Sequence, residues 1–297
     1  MFPKLIKLPS DLVTSHAEIC KGFLSQAFTK TEKATRFIED ARKLYKLLQH
    51  AKAIEGVLGL PDIQDALIAA SGFSDKARTH LSANELESAL KKILQTIAQK
   101  ARDDWREEIM YRYLLTQGDT LGGSMRNLTG ALAGIQLTKA ILTALRERKI
   151  APSIHYSPAN PDKVQVVEWP RRLLLFDKKP QFIGKSIDAI LLNTEESQGT
   201  RKEHLSRQSD YIACGELKGG IDPAGADEHW KTANSALHRI RSSFRKNCPA
   251  LFFVGASIAP AMAQEIFDQL KKGRLAYVAN LTVPGQLRDL AEWLIRL

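Results

Sequence analysis

Three residues in the second half of the chain have the types and spacing to hold a divalent cation, Asp188, Glu216 and Leu217, and Lys218 stands beside them as a positive charge. Asp188 sits in GKSIDAILLN, a strand-like run with Ile187, Ala189 and Leu191 expected on one face and Ile190 and Leu192 on the other. A carboxylate there is costly unless it is paired, binds a cation or reaches solvent at a strand end. Roughly 28 residues on comes Glu216-Leu217-Lys218, in the apolar run YIACGELK. Residues two apart share one face of a strand, so Glu216 and Lys218 project together and Leu217 points into the core. Each signal alone is ordinary, because isolated ExK triplets are common and a carboxylate beside an ammonium can be a plain ion pair. Together, an Asp on one strand and an ExK on the next form the arrangement of metal-dependent nucleases. Asp188 and Glu216 would give Mg²⁺ hard oxygen ligands, with the Leu217 carbonyl as a third. Such a cation polarises a phosphodiester and lowers the pKa of a bound water. Lys218 would orient that water or offset charge developing on phosphorus. Ile187 stands where the proline of the PD-(D/E)xK motif would be.

The run after this strand, GGIDPAGADEHWKTANSALHRIR (219–241), opens with Gly219, Gly220, Pro223 and Gly225, the residues of a tight exit loop. A helix follows, with Asp227 expected to cap it. Ala226, Trp230, Ala233, Leu237, Ile240 and Phe244 make its core stripe. His229 lies at the edge of that stripe. A lone histidine there is either hydrogen-bonded and half-buried or, with its reference pKa near neutrality, a general base.

These residues need rigid elements, and the sequence supplies two kinds. Over 1–150 the pattern is helical, as in Phe37, Ala41, Leu44, Leu47 and Leu48, and Ser82 with Glu85 forms a capping box for a helix over 82–105. Over 151–297 short apolar runs bounded by turn residues read as strands: 164–169, 171–177, 182–193, 210–219, 250–256 and 274–281. Helices are expected over 226–245, 260–273 and 284–297, and a polar loop over 194–208. The fold class is therefore α/β: a mixed sheet flanked by helices in a catalytic part (151–297), preceded by a helical part (1–150).

The net charge is +10, from 43 Lys and Arg against 33 Asp and Glu, which favours a polyanionic partner. Cys20, Cys214 and Cys248 are far apart and form no CxxC, so neither a zinc site nor a disulfide framework is indicated and a reducing cytoplasm is expected. The start lacks a signal peptide's apolar run, no stretch is expected to cross a bilayer, and no membrane partner is expected.

Long strings then become familiar. GELKGGIDPAGADEHWKTAN (215–234), RYLLTQGDTLGGSMRNLTGALA (112–133) and PDIQDALIAASGFSDKA (61–77) closely resemble the AvaI/BsoBI family of type II restriction endonucleases, and the similarity covers most of the chain. The resemblance implies cleavage of double-stranded DNA at the degenerate site CYCGRG after its first base, leaving four-base 5′ overhangs. It also implies a homodimer that encircles the duplex, with the helical part supplying clamp and dimer contacts, and a separate cognate methyltransferase. By position, Asp188, Glu216 and Lys218 match the family's catalytic residues, and His229 matches its suggested general base. Lys76 and Asp222 match positions used against base edges; a lysine can donate to guanine and an aspartate can accept from a cytosine amino group.

GDTLGGSMRN (118–127) lacks the GK[ST] of a phosphate-binding P-loop. It reads as a helix start where Gly122 and Gly123 permit close packing, with Arg126 reaching a DNA phosphate. Two other classes remain open at this point: a repair or structure-directed nuclease with the same metal site, and a non-catalytic DNA-binding relative.

Overall fold

The computed structural model describes residues 3–58, 60–73, 79–158, 160–194 and 199–297. Two compact units emerge: residues up to Leu24 together with Asn127–Leu297, and Ser25–Arg126.

The first unit is built on a seven-stranded sheet of order β1-β2-β3-β4-β5-β6-β7. Its strands are β1 (Ser153–Ser157), β2 (Asn160–Trp169), β3 (Arg172–Lys178), β4 (Ile187–Asn193), β5 (Tyr211–Lys218), β6 (Ala250–Gly255) and β7 (Tyr277–Asn280). The first five pair antiparallel, in part through short turns such as Pro170-Arg171, where Arg171 takes φ 66°. β5, β6 and β7 pair parallel because a helix intervenes between each. Apolar side chains cover both faces. On one, Trp230, Ala233 and Leu237 pack with Met262, Ile266 and Phe267; on the other, Ala133, Leu137 and Ile141 pack with Leu287, Leu290 and Leu294. Each large side chain buried there contributes about 1.5–3 kcal/mol.

In chain order the helices are α1 (His16–His50), α2 (Glu55–Leu58), α3 (Gln64–Ala70), α4 (Ala83–Ala101), α5 (Trp105–Glu147), α6 (Arg201–Ser206), α7 (Ala226–Ser243), α8 (Pro260–Lys271) and α9 (Pro284–Arg296). In the second unit, Leu44 and Leu48 of α1 pack with Leu90 and Leu94 of α4 and with Trp105 and Ile109 of α5. Arg106 donates to the Leu48 and Ala51 carbonyls (3.0 and 2.5 Å), placing a cation at the end of α1 where the helix dipole favours it. The expected capping box forms: Ser82 Oγ accepts from the Glu85 N–H and Glu85 accepts from the Ser82 N–H. That helix ends earlier than expected, at Ala101, because Arg102 turns to φ 51° before α5 begins.

Several expectations are corrected. GDTLGGSMRN is not a helix start; it lies inside α5. Strong helix formers on both sides propagate the helix through the three glycines of this run, Gly118, Gly122 and Gly123, at about 1 kcal/mol each. The stretch 194–208 is not all loop, since Thr200 and Glu203 form a capping box that starts α6. β1 was unforeseen, its residues being only partly buried and weakly patterned. Ile187 packs with Ile190 and Leu192 rather than with Ala189 and Leu191; the β3–β4 ladder omits the pair Asp177–Asp188 next to it, where Asp177 takes φ 51°. The run Ala83–Glu147 does contain an 18-residue window long and apolar enough to cross a membrane, with mean hydropathy 1.4 and a third of it buried. Ala133, Leu137, Ile141, Ala144 and Leu145 of this run pack onto the sheet.

Candidate active site

The site lies where β4 and β5 part. Their ladder ends at the pair Ala189–Gly215, so Asp188 and Glu216 stand just beyond it. The Leu217 N–H has no rung left to join and donates instead to Asp188 Oδ2 (2.8 Å). A strand residue's N–H and C=O leave by the same edge, which puts the Leu217 carbonyl on the Asp188 side. The Leu217 side chain is buried with the α5 and α9 core, as expected.

Lys218 bridges the two acids. Its Nζ lies 3.4 Å from Glu216 Oε2 and 3.8 Å from Asp188 Oδ2. The three groups therefore meet on one face, although they come from positions 30 residues apart at most. Glu216 is 4 % exposed, held on a central strand between β4 and β6. Burial pushes its carboxyl up to about 8; the charge of Asp188 adds to the rise and that of Lys218 opposes it. Two carboxylates crowded in a partly dry site, with one ammonium to share, call for further positive charge. Two hard oxygen donors and a nearby carbonyl suit a cation that keeps much of its own water, as Mg²⁺ does. Among the described residues no third His, Cys, Asp or Glu joins them in a metal-holding group.

Asp222 lies in the exit loop and His229 on α7, and among the described residues neither is hydrogen-bonded or ion-paired to Asp188 or Glu216. Asp222 Oδ1 accepts from the Ala224 N–H (2.9 Å) and starts a 3-10 turn, Pro223–Gly225. Asp227 does not cap α7: the N-cap is Gly225, which offers no side chain, because the chain enters the helix directly from that turn; Asp227 is exposed and pairs with Lys231 at 2.6 Å. His229 is half-buried on α7, its ring lying against Gly220 so closely that a Cβ there would come within 2.5 Å of Cε1. Arg126 is exposed in α5, its guanidinium folded back over Gly122 and Gly123. Lys76 lies outside the described residues.

One feature the sequence did not signal is the anchoring of Lys218 from behind. Its carbonyl accepts from the Ala256 N–H (2.8 Å), and the Ala256 carbonyl accepts from Thr14 Oγ1 (2.9 Å). Thr14 is buried and also accepts from Asn280 Nδ2 (3.0 Å). A threonine and an asparagine 266 residues apart carry no local pattern that links them.

The family model described as restriction endonuclease BsobI matches residues 2–163 and 164–297. The type II restriction enzyme BsoBI of Geobacillus stearothermophilus is 38 % identical over 318 residues, covering 100 % of this chain and 98 % of that protein. The type II restriction enzymes AvaI of Nostoc sp. and of Anabaena variabilis are each 39 % identical over 310 residues, covering 98 % of either chain. A constellation suited to phosphodiester hydrolysis and similarity along the whole chain agree: the protein belongs to the BsoBI family of type II restriction endonucleases.

Proposed function

We propose that this chain cuts both strands of DNA at the six-base-pair site CYCGRG or a close relative, using Mg²⁺, as a homodimer with one active site per strand. The observation that carries the reading is the meeting of Asp188, Glu216 and Lys218 at the open end of β4 and β5. Asp188, Glu216 and the Leu217 carbonyl would hold the cation. When bound, Mg²⁺ supplies Lewis-acid polarisation of the scissile phosphate and a more acidic water.

The chain's own residues do the rest. Lys218, fixed between two carboxylates, presents an ammonium to the phosphate oxygens as negative charge grows on them. His229 accepts the proton of the attacking water. The water oxygen bonds to phosphorus, the bond from phosphorus to the 3′ oxygen breaks, and that oxygen takes up a proton. The products are a 5′ phosphate and a 3′ hydroxyl. Asp222 accepts from a cytosine amino group and Lys76 donates to guanine, while Arg126 contacts a phosphate. The helical part, residues 1–150, supplies clamp and dimer contacts, and residues 151–297 form the catalytic part. A two-fold dimer suits a site that is itself nearly two-fold. The cytoplasm is the place of action, with a separate methyltransferase protecting the host's own sites.

The test is Asp188→Ala. The variant should bind a site-containing duplex as the wild type does and lose nicking and cleavage of plasmid. Activity within a few-fold of wild type would remove Asp188 from the metal site. Discrete fragments from the wild type separate this reading from a structure-directed nuclease, which would give a smear.

A further inference from the structure

The loop that leaves β5 is gripped from three sides, and each grip has a glycine in it. A Cβ at Gly220 would meet the His229 ring, and one at Gly219 would come within 2.2 Å of the Thr129 carbonyl of α5. The third grip is made by α1. A Cβ at Gly22 would lie 2.5 Å from Ile221 Cγ1 and 3.1 Å from its Cβ and Cγ2. All of these residues belong to one compact unit.

The start of α1 has little freedom to recede. Thr14, two residues before it, donates to the Ala256 carbonyl (2.9 Å) and accepts from the Ile258 N–H (2.9 Å). The Thr14 N–H donates to the Ile258 carbonyl (3.0 Å). Asn280, fully buried, donates to the Leu12 carbonyl (2.8 Å). Ile221 has little freedom either: it is buried against the α5 and α9 core, and a β-branched side chain carries both Cγ atoms close to the backbone with few rotamers to choose from. A side chain at position 22 is therefore relieved by moving the Ile221 backbone. The next residue is Asp222, whose carboxylate, among the described residues, is held within its own turn by the Ala224 N–H. It would travel with the loop.

We propose that Gly22 is a positioning residue for sequence discrimination: its missing side chain lets Ile221 seat against α1, and that seat sets where Asp222 meets the base edges. The proposal rests on Asp222 being a base-reading residue. A glycine inside a helix is otherwise a poor choice of residue.

The experiment measures cleavage by the full chain, with Mg²⁺, of two duplexes: the site the wild type cuts and one with a single base pair exchanged in it. G22A should lower the ratio of the two rates by about tenfold, the scale of one lost base contact. In a D222A background the same change should lower it no further, and in an I221A background, where the obstructing Cγ atoms are gone, it should have little effect. A ratio unmoved by G22A, or an equal loss with and without Asp222, would overturn the proposal. If G22A alone does not fold, G22A/I221A is the deciding variant: it should keep the ratio of I221A, and a tenfold poorer ratio overturns the proposal. A wild type that cuts both duplexes alike overturns the functional reading and the proposal with it. A discriminating wild type beside an unmoved G22A overturns the proposal alone.

Discussion

Glu216 is an acid buried on a central strand. Its carboxyl is raised to about 8 from an ordinary 4.5, by burial first and by Asp188 second. In the metal-free protein the folded chain thus holds a proton that the unfolded chain has lost between those two values. The stability this lends is present at low pH and disappears as pH rises through about 8. Thermal melting without Mg²⁺ should therefore fall between pH 5 and pH 9, and Glu216→Gln should flatten that slope; an identical slope in the variant would show that Glu216 is not the group responsible. For His229 the expectation concerns rate. His229→Ala should lower the cleavage rate by about 100-fold or more and leave DNA binding unchanged. A rate within a few-fold of the wild type would take His229 out of the proton transfer.

Elements explain why some of the site was legible and some was not. The spacing Glu216-Leu217-Lys218 announced a shared face because strand periodicity is local, and the structure brings the two side chains to 3.4 Å. The strands β2 to β7 were readable for the same reason, as was the capping box at Ser82, whereas β1 was not. Contacts made across the fold were not readable. Nothing near Gly219 in sequence shows that Thr129 of α5 lies against it, and nothing in GDTLGGSMRN shows that its glycines will be carried inside a helix. Asp227 looked like a cap because it stands at a helix start, but the N-cap is Gly225, with no side-chain cap, and Asp222 caps the separate 3-10 turn before it. Gly219→Ala tests the packing directly. Its Cβ would meet helix backbone, which cannot swing aside, so unfolding by denaturant should show a loss of about 1–3 kcal/mol. A variant as stable as the wild type would mean the loop and α5 are not in the contact described.

At the scale of the whole molecule, an excess of ten positive charges accompanies the two acids and the lysine of the sheet unit, a balance that favours a polyanionic partner. The boundaries between the two units fall within α1, at Leu24–Ser25, and within α5, at Arg126–Asn127. Charge holds DNA without reading it, and the catalytic groups cut without reading it; specificity must come from the few side chains aimed at base edges. The most direct measurement is digestion of a DNA of known sequence with Mg²⁺, followed by sequencing of every end, for the wild type and for Lys218→Ala. The account predicts that all wild-type ends fall in one degenerate six-base-pair sequence with four-base 5′ overhangs, and that the variant produces none. Ends scattered without a common sequence, or cutting that persists without the lysine, would contradict it.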